Sequence, residues 1–165
     1  MKINSILRYV AILLLISINI GCDQVSKSIV RDRLEYHENI QVAGNHIMLT
    51  KVENSGAFLS LGDSFSPLVK SLLLTALPSI TLLLLLFWLL ANNPGKWALL
   101  GLSCIVGGGI GNIFDRIVHG SVTDFMFIQY GFFRTGIFNG ADVSITIGVC
   151  LMVMQQLWKA KQGGS

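Results

Sequence analysis

Four stretches of this chain stay apolar for about the 20 residues that a helix needs to cross a bilayer core. They are Ile6 to Val25, Leu68 to Leu90, Trp97 to Phe114 and Ile137 to Trp158, about half of the sequence. The second contains Pro78, tolerated in a membrane helix because neighbouring groups re-satisfy the freed backbone carbonyl. The short polar link Ala91-Asn92-Asn93-Pro94-Gly95-Lys96 makes spans two and three an antiparallel hairpin. Between the spans lie two longer polar segments, 26–67 and 115–136. The first has strand-like stretches at Ile40-Gln41-Val42 and Ile47-Met48-Leu49-Thr50, with Gly44-Asn45 as the turn between them, and the second has Val122 to Ile128, ending near Gly131. No repeat, low-complexity tract or linker divides the chain. The predicted fold is a single all-α membrane domain over 1–165, four transmembrane helices carrying a small β-sheet cradle on the outer membrane face.

Composition agrees with that reading. The chain is 52% apolar and only 13% charged, against about 25% charged in soluble domains, which excludes a water-soluble class. Twelve basic and nine acidic residues give a formal +3, but no basic cluster describes a nucleic-acid binder. The distribution of charge is more informative than its sum. Lys2, Arg8, Lys96, Lys159 and Lys161 flank the N-terminus, the 91–96 link and the C-terminus, which four spans place on one side. All are basic, so that side is cytoplasmic by the positive-inside rule. The nine acids lie on or near the opposite side.

Cys22, Cys104 and Cys150 have no metal-ligand spacing, and His37, His46 and His119 are scattered through polar segments. They read as packing and surface residues, and no metal site is expected. Neither a Gly-Xaa-Ser-Xaa-Gly elbow nor a His-Glu-Xaa-Xaa-His helix occurs, which leaves serine and zinc peptidase chemistry without support.

Acids in apolar settings are where chemistry could reside. An aspartate inside a membrane helix costs about 2.5–3.5 kcal/mol, and Asp142 sits five residues into the fourth span, roughly 8 Å from its outer end at ~1.5 Å per residue. Either it packs by hydrogen bonding to a neighbouring helix or it serves a site reached from outside. Asp124 lies among apolar neighbours in the Val122 to Ile128 strand. Two carboxyls brought together at a partly dry site share a proton, so one can activate water while the other acts as an acid.

Other polar clusters border the same face. Gly107-Gly108-Gly109-Ile110-Gly111-Asn112 permits close helix contact, and Asn112, Asp115 and Arg116 share a helical face at i, i+3 and i+4. Asp115 and Arg116 are expected to pair. A phosphate-binding glycine loop is disfavoured because no strand precedes these glycines. Asp23 and Lys27 are i,i+4 partners where the first span leaves the membrane, and Asn54-Ser55-Gly56-Ala57 reads alone as a turn.

Five blocks in order resemble the bacterial lipoprotein signal peptidases, or signal peptidase II. They are Asp23-Gln24-Val25-Ser26-Lys27, Asn54-Ser55-Gly56-Ala57, Gly107 to Asn112 with Asp115-Arg116, Val122-Thr123-Asp124-Phe125, and Phe138-Asn139-Gly140-Ala141-Asp142. The resemblance implies an intramembrane aspartyl endopeptidase that cuts prolipoproteins just before their diacylglyceryl-modified cysteine, with no cofactor. It implies Asp124 and Asp142 as the catalytic pair, and Asn54, Asn112, Arg116 and Asn139 as groups that hold substrate or orient the acids. Asp23 and Lys27 would fix the end of the first span, with Asp115, Gly56 and Gly108 structural. It also implies a bacterial inner-membrane location with the site toward the outer face. The implied partners are prolipoproteins, membrane lipid and the inhibitor globomycin, and the chain is expected to be monomeric. One position departs from the family pattern, since the bulky Phe58 stands where a small residue is usual.

Two other classes compete. Arg8 to Cys22 looks like a lipoprotein signal itself, with Gly21-Cys22 at its end, which would make the chain a passive membrane component processed at Cys22. Asn19 is a poor residue three places before that cysteine, and three further spans follow. A transporter would distribute polar residues through the bilayer depth, whereas spans two and three have almost none.

Overall fold

The computed structural model describes residues 5–44, 46–57 and 61–163. Four helices are long and apolar enough to cross a membrane: Ser5–Arg33, Pro67–Ala91, Lys96–His119 and Gly140–Gly163. A four-stranded antiparallel sheet in the order β1(Ile40–Ala43), β2(Ile47–Asn54), β3(Val122–Tyr130), β4(Phe133–Arg134) accompanies them. This is the architecture the hydrophobic pattern predicts. The Gly44-Asn45 turn and the Phe58 departure involve residues 45 and 58, which lie outside the described set.

Element ends differ from the pattern in informative ways. The first helix runs eight residues past Val25, through Lys27 and Arg31, because its upper turns pack on the third helix and β3 instead of entering water. The second contains a π-helical stretch, Ser71–Ala76, just before Pro78. Widening the turn there relieves the clash between a proline ring and the carbonyl one turn earlier. The fourth helix starts at Gly140, not Ile137, which corrects the depth inferred for Asp142: it stands in the first helical turn. The cause is Phe138, which bridges to Met126 on β3 and holds Ile137–Asn139 to the sheet.

The third helix is the hub. Over half of its apolar window is buried, against 6–17% in the other three. Its Leu99, Leu102 and Val106 form the core with Ile12 and Ile16 of the first helix and Leu89 of the second. Cleavage before Cys22 would remove Ile12 and Ile16 from that core, which argues against the processed-lipoprotein reading. Glycines set the spacing to the fourth helix: a Cβ on Gly108 would stand 2.5 Å from the Ala141 carbonyl oxygen. The start of the first helix, the 91–96 link and the end of the fourth helix gather at one end, where Arg8 donates to the Leu90 carbonyl at 3.0 Å and Trp97 and Lys159 line one cavity.

At the other end a buried charge cluster ties the first helix to the third. Lys27 Nζ is 2.8 Å from Asp23 Oδ2 and 2.9 Å from Asp115 Oδ2, with all three side chains almost wholly buried. Arg31 meets Asp115 Oδ1 at 2.9 Å, and Gln24 donates to the same oxygen. Asp115 therefore pairs with Lys27 and Arg31, not with Arg116 as the sequence suggested. Residue 115 is turned toward the first helix, 116 faces the cavity described below, and 112 reaches both Lys27 of the first helix and that cavity. Asp23 Oδ1 also accepts the Ala141 amide at 2.8 Å, so the cluster clamps the start of the fourth helix as well.

Removing one partner from such a buried cluster leaves uncompensated charge, at a cost of about 3–5 kcal/mol. Lys27→Met should lower stability by roughly that amount, read by denaturant unfolding of the detergent-purified protein. Gly108→Ala forces the third and fourth helices apart and should cost about 1–3 kcal/mol in the same assay.

Candidate active site

Three turns of chain bring Asp124 and Asp142 to one place. The third helix ends at Gly120 in a left-handed conformation (φ 78°), which returns the chain into β3 within two residues. On β3, Asp124 pairs with Val52 of β2, which makes Asn54 its diagonal neighbour on the same sheet face. Phe138 exchanges backbone hydrogen bonds with Met126, its amide donating at 2.9 Å and its carbonyl accepting at 2.8 Å. Asn139 is thereby set beside Asp124, and the fourth helix begins at the next residue.

Asn139 is fully buried and serves both acids. Its Nδ2 donates to Asp124 Oδ1 at 2.6 Å. Its Oδ1 accepts the Asp142 amide at 3.0 Å, while its own amide donates to Asp142 Oδ2 at 3.2 Å. The reciprocal pair is a capping box, with an aspartate in the place usually taken by glutamate or glutamine.

Each acid has a second donor. Asn54 Nδ2 donates to Asp124 Oδ2 at 3.0 Å, and Asn112 Nδ2 donates to Asp142 Oδ1 at 2.8 Å. All three amides are fixed in orientation by a partner at the other end. Asn54 Oδ1 accepts the Gly56 amide, Asn112 Oδ1 accepts from the Lys27 ammonium at 2.9 Å, and Asn139 Oδ1 accepts as above. Arg116 donates to the Gly56 carbonyl at 2.9 Å, and its charge acts on both acids.

Asp124, Asp142, Asn54, Asn112, Asn139 and Arg116 all line one cavity of ≈ 500 Å³. The opposite wall is apolar, with Leu74, Leu77 and Leu82 of the second helix and Ile145 of the fourth among its residues. Asp124 itself is only 4% exposed. Burial pushes its carboxyl up to about 6; the Asn54 and Asn139 hydrogen bonds oppose that shift and the Asp142 charge adds to it.

The site residues named from the sequence all have a place in this arrangement. Six line the cavity, Asp23, Lys27 and Asp115 lie behind it, Gly56 anchors Arg116, and Gly108 sets the helix spacing. His37, His46 and His119 are exposed. Arg31, which donates to Thr123 Oγ1 as well as pairing with Asp115, went unrecognised. Its signal was the i, i+4, i+8 spacing of Asp23, Lys27 and Arg31, visible only if the first helix is continued past the membrane.

Residues 15–158 match the family model described as signal peptidase (SPase) II. A lipoprotein signal peptidase of Desulforapulum autotrophicum is 34% identical, with 87% of this chain and 90% of that protein covered. One from Streptococcus pneumoniae is 31% identical over 95% of both chains. Two solved bacterial membrane enzyme structures superpose with TM-scores of 0.83 and 0.77 at 25% and 26% identity. The first covers 92% of this chain and 90% of its own, the second 89% and 92%. With the family model spanning most of the chain and relatives above 30% identity covering most of both proteins, the protein belongs to the signal peptidase II family, a multi-pass membrane aspartic peptidase.

Proposed function

We propose that this protein removes signal peptides from bacterial prolipoproteins, cutting on the N-terminal side of the diacylglyceryl-modified cysteine, with Asp124 and Asp142 as the catalytic pair. The observation that carries the reading is Asn139, a buried residue whose side-chain amide donates to the Asp124 carboxyl and whose backbone N–H donates to the Asp142 carboxyl on the wall of a single cavity. The cavity's two faces suit a lipidated peptide: polar groups for the backbone on one side, apolar side chains for acyl chains on the other.

Asp142 is the ionised partner in this mechanism. It sits at a helix start, where peptide dipoles stabilise negative charge, and both its oxygens accept N–H donors. It takes a proton from a water held between the acids, and the oxygen of that water attacks the scissile carbonyl carbon. Asp124, whose carboxyl burial pushes up to about 6, is the partner that carries the proton in the reactive form, and it donates a hydrogen bond to the carbonyl oxygen as negative charge develops there. Collapse of the tetrahedral species breaks the C–N bond, and the departing amine receives a proton from the pair. Asn54, Asn112 and Asn139 hold the acids in register, and Arg116 fixes the loop at Gly56 while placing positive charge beside them.

The basic end faces the cytoplasm in this reading, so both termini are cytoplasmic and the acids lie toward the outer face of the inner membrane. Globomycin would act by occupying the acid cavity.

Purified protein incubated with a diacylglyceryl-modified prolipoprotein should release the signal peptide, detected by mass, and globomycin should suppress the release. Asp124→Asn and Asp142→Asn should each lower kcat by about 10²–10⁴-fold while insertion and yield stay unchanged; retained cleavage in either variant would remove the mechanism. The protonated fraction of Asp124 falls as pH rises through about 6, so kcat/KM should decline above that pH. The decline in kcat should come at higher pH, because bound substrate desolvates the site further and holds the proton on Asp124.

A further inference from the structure

The third and fourth helices also touch at a second level, where a Cβ on Gly101 would meet the Gly148 carbonyl oxygen at 2.9 Å. Beyond that contact, toward the basic end, a second cavity of ≈ 550 Å³ opens between Trp97 on the third helix and Leu151, Met154, Gln155, Trp158 and Lys159 on the fourth. It shares no lining residue with the acid cavity. Trp97 and Trp158 are 61% and 68% exposed, and at this end of a membrane span their surroundings are lipid at headgroup level, the depth that tryptophan favours.

Two polar features make this more than an apolar groove. Gln155 Oε1 is buried with no hydrogen-bond partner among the described residues, a state that the arrival of a donor relieves. Lys159 brings positive charge to the rim, Lys96 and Lys161 are close in sequence, and no Asp or Glu occurs between Asp63 and Asp115 or after Asp142. The complementary occupant is an anion that also carries a hydrogen-bond donor and an apolar tail.

We propose that this cavity binds an anionic glycerophospholipid of the phosphatidylglycerol type. Its phosphate sits at Lys159, a glycerol hydroxyl donates to Gln155 Oε1, and an acyl chain runs past Leu151 and Met154 between the two tryptophans. A phosphatidylcholine headgroup offers neither net negative charge nor a donor, so the site distinguishes the two lipids.

The test uses Trp88→Phe protein, in which Trp97 and Trp158 are the remaining tryptophans, reconstituted in phosphatidylcholine vesicles. Brominated phosphatidylglycerol or brominated phosphatidylcholine is added at equal bromine content. The phosphatidylglycerol probe should quench the two tryptophans more strongly. Lys159→Gln should weaken its apparent affinity about fivefold, the factor that one basic residue contributes at a lipid surface. Gln155→Leu should weaken it by a similar factor, about that of one hydrogen bond. Both variants should still cleave prolipoprotein, which separates failure here from failure of the peptidase reading. Equal quenching by the two lipids, selectivity that survives both substitutions, or cross-linking that places a second copy of the chain over the tryptophans would overturn the proposal.

Discussion

One wholly buried ammonium organises the end of this molecule that carries the sheet. Lys27 is shared by Asp23, Asp115 and the Asn112 carbonyl oxygen. A charge placed in so dry a setting is tolerable only if its partners are close and in good geometry. That demand fixes the rotation of the first helix against the third. It also fixes the Asn112 amide, whose carbonyl end is committed to Lys27 and whose NH₂ end consequently faces Asp142. The buried ion cluster and the cavity-lining Asp142 carboxyl are thus linked through the single side chain of Asn112 while remaining in different environments.

The acid pair is asymmetric for reasons that can be traced in the backbone. Asp124 comes from the middle of a strand and is covered by sheet and helix, so its ionised form is poorly solvated. Asp142 comes from the first turn of a helix and is met by a backbone N–H and a side-chain amide. The sheet contributes directly, because the Phe138–Met126 bridge sets the distance between strand and helix start.

The two cavities lie at opposite ends of the third–fourth helix pair, separated by the Gly108–Ala141 and Gly101–Gly148 contacts. Close backbone approach in the middle of the bundle leaves little room there. Small residues along the third helix therefore govern both where it packs tightly and where it does not.

Hydrophobic run length alone specified four spans, because a bilayer admits few other solutions for 20 apolar residues. Alternation specified three strands, and basic flanks separated one end of the bundle from the other. The ordered polar blocks, read as a resemblance, nominated the residues that line the acid cavity. Which acid meets which base was not legible: Asp115 and Arg116 are neighbours in sequence, but successive helical residues point about 100° apart, and only packing against the first helix turned Asp115 toward Lys27 and Arg31. The start of the fourth helix was equally hidden, since Ile137 and Phe138 are as apolar as the span they precede. Their pairing with β3, a contact between residues far apart in sequence, decided that Asp142 would stand at a helix terminus beside Asp124.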